Sequence, residues 1–544
     1  MTFYKMKNLT DQNTKILIGN PGCGKTTALI RLMMDEIKKG VPLQKIGFGS
    51  FSVAAIDEAK MRALESLISA QQISESSKES TKELSNFKTL HAMAFRLLGL
   101  SPDNLMNDFR MAEFGKMVGL TFSSINNDDN DPTKRSITQR QTLGDKVLHI
   151  ISVANLYNKS IREYATTIAD QLPQKVSIAY IEDIASRYRD FKILNNVFDY
   201  TDMLVMAKTA DLVTPELEVY FLDEAQDLST LQWILVDRMA STVKKVIIAG
   251  DDKQAINTFA GADVTTFLNV PGKVEVLEQS HRIPQSVFKL ANKLMTKMEK
   301  YRPEGADWKP REEKGLVKSG HEFPWQKIQN GEDWLVLSRA RFQLDKIAEG
   351  LMRRNEDGPI LFTVDGCAPI SIDLLRAITL MRAYQKMGQI QELVTIRDTD
   401  TPEKRKYKIG VIKLFKKYIP CKHYAQPWQV DEDFRTALGR PWSVAMCKIP
   451  PYMARYIEAL FPIYKERGDD LFVNAPIRLM TMHKSKGREA DNVVVLLDVP
   501  AQVRENMFKD DTECKLFYVA VTRAKHNLYL VKQNTHQKGF EYFL

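Results

Sequence analysis

The sequence predicts an α/β protein with two parallel-sheet cores, each interrupted by a mainly helical insertion. Short apolar runs alternate with helix-like stretches, as expected of strands buried on both faces of a parallel sheet. The runs fall into two groups, one before and one after about residue 278, and each group encloses a long helix-rich segment with few strand signals. The chain has 544 residues, enough for about three to four domains.

The first run, Ile16-Leu17-Ile18, reads as a strand. It leads into Gly19-Asn20-Pro21-Gly22-Cys23-Gly24-Lys25-Thr26, a full match to the phosphate-binding pattern G-x-x-x-x-G-K-[ST]. Glycines let such a loop wrap a polyphosphate with its N–H groups inward, and the next helix adds its partly positive N-terminus. Lys25 would reach the outer phosphates and the Thr26 hydroxyl would hold Mg²⁺. Asn20, Pro21, Gly22, Cys23, Gly24, Lys25, Thr26 and Thr27 are therefore the candidate nucleotide contacts. Leu29, Leu32, Met33 and Ile37 share one face of the following helix, which Lys38-Lys39-Gly40 ends.

Lys45–Gly49 reads as the second strand, and Gln71–Asn86, polar and serine-rich, as an exposed connection. Residues 99–196 read as a helical insertion broken by a polar loop at Ser124–Ser136. Strands return at Val219–Leu222, Val243–Ala249 and Val274–Leu277, closing a first core made of residues 1–98 and 197–278. The second core takes residues 279–349 and 471–544, with strands at Trp334–Leu337, Ile477–Met482, Asn492–Leu497 and Asn527–Val531. Residues 350–470 form its mainly helical insertion, and no internal repeat is visible.

The apolar fraction is 44%, ample for several cores. Lys plus Arg number 77 against 68 Asp plus Glu, and the net charge of +9 permits a polyanionic partner without demanding one. The five cysteines lie far apart, with no C-x-x-C pair or His/Cys cluster, which argues against structural zinc, iron–sulfur clusters and a disulfide scaffold. The start lacks an apolar signal core and no run is long enough to span a bilayer, so a soluble, cytoplasmic protein without a membrane partner is expected.

Phe221-Leu222-Asp223-Glu224 is an apolar strand ending in two acids. In phosphate-loop ATPases an acid there completes the Mg²⁺ site with the loop threonine, here Asp223 with Thr26. Glu224 would orient or deprotonate the attacking water. Gly250-Asp251-Asp252-Lys253-Gln254 follows another apolar strand and offers the Gln254 amide as a sensor of the γ-phosphate. Arg282, in Glu278-Gln279-Ser280-His281-Arg282, and Arg523, in Thr522-Arg523-Ala524-Lys525, lie beside strands of the second core. From there they could reach the phosphates and stabilise transition-state charge.

In this order the motifs resemble those of the UvrD/Rep/PcrA group of superfamily 1 helicases. The resemblance rests on GNPGCGKTT, FSVAAIDEAKMR, FKTLHAMAFRLL, FDYTDML, LDEAQD, GDDKQAI, EQSHRIP, LSRAR, TMHKSKGREADNVVVL and FYVAVTRAKHNLYLV, spread from about residue 14 to 533. It implies two RecA-like cores and an ATP- and Mg²⁺-dependent motor that moves on single-stranded DNA, usually 3′ to 5′, and separates duplex strands. Its partners would be single-stranded DNA and single-/double-strand junctions, with single-strand-binding or replication and repair proteins. The hydrolysis set it implies is Lys25, Thr26, Asp223, Glu224, Gln254, Arg282 and Arg523, with Glu489 at the ribose. Phe51, Thr89, His91, Phe259, Arg339 and His483 lie in motifs that line the family's DNA path. Stacking of bases on Phe51 and Phe259 is the physical counterpart. Alternatives are a translocase that displaces proteins with little unwinding, a DNA-binding scaffold that binds nucleotide without turnover, and an RNA motor.

The chain departs from the family pattern in places. The family's adenine-reading glutamine lies well upstream of the phosphate loop, whereas Gln12 is only seven positions before Gly19. His281 stands where a tyrosine usually stacks on the base, and Asn257 and Phe259 replace the common tyrosine and tryptophan. Thr401–Tyr424 is richly basic, with Tyr407, Phe415, Tyr418 and Tyr424 interleaved, and reads as either a duplex contact or a solvated helix face.

Overall fold

A computed structural model describes residues 4–70, 84–123, 142–174, 176–210, 216–298, 307–354, 358–422, 426, 428–446, 448–533 and 539–544. The polar loop at 124–136, most of the connection at 71–86, Tyr424 and Cys447 lie outside these residues.

Six strands form the first sheet: β1 (Thr14–Gly19), β2 (Ile46–Ser50), β3 (Phe87–Thr89), β4 (Val219–Asp223), β5 (Lys245–Gly250) and β6 (Lys273–Leu277). Their order is β3-β2-β4-β5-β1-β6, and every pairing is parallel. All C-terminal strand ends therefore share one edge, and the register aligns them: Ser50 faces Thr89 and Asp223, Ile18 faces Gly250, and Gly19 faces Leu277. In an open α/β sheet this is the edge where ligands bind. β2, β4 and nearly all of β1 and β5 are buried, which is why the sequence shows them as continuous apolar runs. Phe48 stacks on Phe87 at 5.1 Å and on Phe221 at 6.4 Å, a cross-strand ladder that ties β3, β2 and β4 together.

The helices within 99–196 pack around Phe114, Ile151, Ile181, Ile184 and Phe191. Their starts are written into the sequence. Thr142 with Asp145, and Ser160 with Glu163, close reciprocal capping boxes at helices Leu143–Leu156 and Ile161–Thr167. Asp199 with Asp202 does the same for Tyr200–Thr209, and the Lys192 ammonium binds both carboxylates.

The second sheet comprises β7 (Leu316–Gly320), β8 (Trp334–Ser338), β9 (Phe362–Val364), β10 (Ile477–Thr481), β11 (Ala490–Leu496) and β12 (Ala524–Val531), in the order β7-β12-β11-β8-β10-β9. β8 pairs in parallel with β10 and β11, and β10 with β9. Helices including Ile372–Lys386, Pro402–Lys416 and Pro451–Arg467 share a core with this sheet.

Contacts divide the chain into two compact units, residues 1–316, 501–526 and 541–544 in one and residues 317–500 and 527–540 in the other. The expected division at 278/279 differs from this boundary. Residues 279–298 and 307–315 belong to the first unit, where Ser280 and His281 bond to the phosphate loop and Lys309 N donates to Glu278 O. Helix Thr512–Val521 belongs there too, so Arg282 and Arg523 share a unit with the phosphate loop. Three strands were not legible as apolar runs: β3 and β9 have three residues each, and β7 is an exposed edge strand. Among the described residues no helix is long and apolar enough to cross a membrane.

Candidate functional site

The phosphate loop leaves β1 at Gly19 and enters helix Lys25–Lys38 at Gly24. Gly22 and Gly24 have φ of 76° and 74°, in the left-handed region that glycine enters freely. At Gly22 space matters as well, because a Cβ would lie 2.4 Å from Arg282 Cβ and 2.8 Å from Ser280 Oγ. The loop is latched here. The buried Ser280 hydroxyl donates to Pro21 O at 2.8 Å, and His281 N donates to Gly22 O at 2.9 Å.

Lys25 Nζ donates to Gly19 O at 2.9 Å, which keeps the ammonium within its own loop. Asn20 is buried, and the Cys23 thiol is pushed up to about 11, first by burial, so it stays protonated near neutral pH. Thr27 accepts a 2.7 Å hydrogen bond from Arg62, which the motif reading did not single out.

Thr26 Oγ1 donates to Asp223 Oδ2 at 2.5 Å. Burial, then the Glu224 charge, raises the Asp223 carboxyl to about 6. A hydroxyl and a buried carboxylate in contact form a hard oxygen donor pair that fits Mg²⁺, which takes one or two protein oxygens and completes its shell with water and phosphate. Cation charge would keep Asp223 ionised.

Glu224 is one of the few non-glycine residues with positive φ, at 53°. Such strain persists only where surrounding contacts enforce it. Its N–H donates to Asp223 Oδ1 at 2.9 Å, and its Oε2 accepts from Gln226 Nε2 at 2.5 Å. The Gln226 carbonyl accepts from Asp251 N at 2.9 Å. Asp251 Oδ2 accepts from Gln254 Nε2 at 2.6 Å, and Gln254 Oε1 accepts from Arg523 Nη2 at 2.7 Å. Arg523 is 2% exposed, and its Nε is held by Val519 O at 2.8 Å. The residues expected to act in hydrolysis thus meet at the C-terminal edge of the first sheet. Gln226, Asp251 and Ser280 join them; their signal was their place inside LDEAQD, GDDKQAI and EQSHRIP.

Gln12 is exposed and precedes β1 at the opposite end of the strand. Six strand residues, about 20 Å, separate it from the phosphate loop, so it cannot replace the upstream glutamine. The preceding segment is clamped elsewhere: Asp237 accepts from the N–H groups of Lys7, Asn8 and Leu9 and from the Tyr4 hydroxyl. His281 is exposed beside Gly22, with its ring accessible for stacking.

Among the expected DNA-path residues, Phe51 follows β2, Thr89 ends β3, and Phe259 follows β5, all in the first unit. Phe259 is 37% exposed, whereas Phe51 is partly buried against the core. Thr89 caps helix Leu90–Leu97 by accepting from Ala92 N. His91 departs from the expected DNA-lining role, because its ring is buried edge-on against Tyr200 at 6.0 Å. Burial lowers it to about 4. Arg339, His483 and Glu489 lie in the second unit. The His483 imidazole is lowered to about 3, by desolvation first and the Arg339 charge second. Glu489 O accepts from Arg478 Nη2 at 2.9 Å.

The basic stretch divides into structural and exposed parts. Lys408 is buried and bonds Thr395 O and Asp400, and Phe415 is core. Arg405, Lys406, Tyr407 and Lys413 are exposed.

The UvrD/REP helicase N-terminal domain matches residues 4–275, and the UvrD-like helicase C-terminal domain matches residues 476–531. A probable DNA helicase II homolog of Mycoplasma genitalium is 23% identical, over 95% of this chain and 82% of its own length. The ATP-dependent DNA helicase PcrA of Staphylococcus aureus is 23% identical over 54% of this chain, and that of Bacillus subtilis 24% identical over 38%. These matches span only 40% and 28% of the two PcrA chains. Arterivirus nonstructural protein 10, a helicase, aligns with 98% of this chain and 62% of its own at 11% identity, with a TM-score of 0.32, too slight a likeness to argue from. With half of its length matched by the N-terminal domain and its closing strands by the C-terminal one, the chain belongs to the UvrD/REP helicase family.

Proposed function

We propose that this chain is an ATP-dependent DNA helicase that moves 3′ to 5′ on single-stranded DNA and separates the duplex ahead of it. The observation that carries the reading is the convergence of Lys25, Thr26, Asp223, Glu224, Gln254 and Arg523 on one sheet edge, all but Lys25 joined by hydrogen bonds that run through Gln226 and Asp251. Phosphoryl transfer to water needs phosphates held still, a positioned water and cations where charge develops. The phosphate loop and Lys25 hold the phosphates, and Glu224 orients the water and takes its proton. Arg282 and Arg523 offset transition-state charge. Thr26 and Asp223 would hold Mg²⁺, which would supply neutralisation of phosphate charge. His281 stacks on the base.

The same edge offers Phe51, Thr89 and Phe259 at β2, β3 and β5. Aromatic faces with phosphate contacts are what a sequence-tolerant single-strand site requires. β2 is three positions from β1, about 14 Å, so bound DNA and nucleotide would pull on a common set of strands.

ATP turnover by the purified chain should rise at least about tenfold with an unstructured single strand, the scale of a modest coupling free energy. Lys25→Ala should abolish turnover and keep most of the strand binding. Equal rates with and without DNA would remove the motor reading. Duplexes with 3′ or 5′ overhangs report polarity, and ATPase without strand separation would favour a translocase that displaces proteins.

A further inference from the structure

Gln226 lies in the one-turn helix Ala225–Asp227 after β4 and is fully buried. A buried primary amide has to satisfy a donor and an acceptor. Here its two ends face different parts of the hydrolytic centre: Nε2 donates to Glu224 Oε2 at 2.5 Å, and Oε1 accepts from Asp251 N at 2.9 Å. Packing leaves it little freedom. A Cβ at Gly250 would approach Gln226 Oε1 to 2.9 Å and the Phe267 ring to 2.6 Å, so the missing side chain of Gly250 makes room for the amide.

We propose that Gln226 is a positioning residue for hydrolysis, holding Glu224 with one arm and tying it through Asp251 and Gln254 to Arg523 with the other. The inference rests on the hydrolytic reading above and extends it to a fully buried residue. The connection runs Arg523 Nη2 to Gln254 Oε1, Gln254 Nε2 to Asp251 Oδ2, Asp251 N to Gln226 Oε1, and Gln226 Nε2 to Glu224 Oε2. Its members come from three segments far apart in sequence, following β4, following β5 and closing helix Thr512–Val521. Glu224 has a left-handed backbone and a half-buried side chain, so its carboxylate direction depends on what grips it. Without the Gln226 arm the carboxylate loses that hold on its direction toward the attacking water, while the phosphate loop keeps its contacts.

The test uses the full-length chain with saturating single-stranded DNA. Gln226→Leu removes both arms at similar volume. Gln226→Glu keeps an acceptor for Asp251 N–H but cannot hold an ionised Glu224, and it covers the case in which the leucine variant fails to fold. Both should lower kcat about 10- to 100-fold, as expected for a mispositioned general base. The KM for ATP and the Kd of a fluorescent ADP should stay within about threefold, the pattern of an interaction used only in the transition state. In a Glu224→Gln background Gln226→Leu should cost less than about threefold more, because residues that act through one another are not additive. The inference is overturned if kcat in either folded variant stays within about threefold of the parent. It is also overturned if the losses multiply in the double variant, or if ADP binding falls with kcat. A parent that does not hydrolyse ATP sinks the hydrolytic reading and this inference with it, whereas an active parent matched by its variants sinks the inference alone.

Discussion

His91 shows how burial sets the chemistry of a single side chain. The ring is packed against Tyr200 and lowered to about 4, so it is neutral at physiological pH. The unfolded chain, with an ordinary value of about 6.5, takes up the proton first. Stability from this residue is therefore full above about pH 6.5 and falls as the pH drops toward the folded value, by about 2 kcal/mol at pH 5. Urea midpoints at pH 7.5, 6.0 and 5.0 should fall more steeply for the parent than for His91→Gln. Identical slopes would show that the ring does not titrate on unfolding. In the other unit His483, lowered to about 3, acts in the same direction. LHAMAF places His91 one residue into a helix, but its burial depends on Tyr200, more than a hundred positions away.

The phosphate loop shows what motif spacing leaves out at the level of an element. The pattern requires glycine at Gly24 but leaves position 22 open, yet Gly22 and Gly24 both have positive φ. Their surroundings differ. A Cβ at Gly22 collides with Arg282 and Ser280, whereas at Gly24 the nearest atom is 3.9 Å away. Gly24→Ala should cost only the left-handed penalty of about 1 kcal/mol. Gly22→Ala adds a steric penalty of about 1–3 kcal/mol and pushes the Ser280–Arg282 segment off the loop. Thermal unfolding without nucleotide should separate the two variants by several degrees, and equal melting temperatures would contradict the close approach. The strands show a similar divide. Runs buried on both faces, such as β4 and β8, are plain in the sequence, whereas β3, β7 and β9 exist because a neighbouring strand offers a free edge.

Across the whole molecule, the order β3-β2-β4-β5-β1-β6 gathers motifs from the first and middle thirds of the chain along one edge of a sheet. The candidate nucleotide residues take β4, β5, β1 and the segment after β6, and the candidate DNA-path residues take the ends of β2 and β3 and the turn after β5. If Phe259 stacks on a base, Phe259→Ala should weaken single-strand affinity by about 1–3 kcal/mol, roughly 5- to 150-fold. Phe51→Ala should cost less, because part of that ring is already committed to the core. Fluorescence anisotropy with a labelled oligothymidine measures both, and unchanged affinity in the two variants would remove stacking from this edge. The basic helix Pro402–Lys416 leaves fewer residues exposed than its composition suggests, since Lys408 and Phe415 are structural.

The sequence alone determined the α/β class, the phosphate loop, the two acids after β4, and the order of motifs that marks the family. These are local features: an apolar run of the right length, or chemically distinctive residues at short fixed spacing. Tertiary structure decided which residues meet. Gln226 meets Asp251, Ser280 meets Pro21, and Arg523 meets Gln254, partners separated by 25 to 269 positions. It also decided that Gln12 lies a strand's length from the phosphate loop and that His91 is buried. A single sequence cannot report such outcomes, because they depend on strand order and on the packing that closes around each side chain.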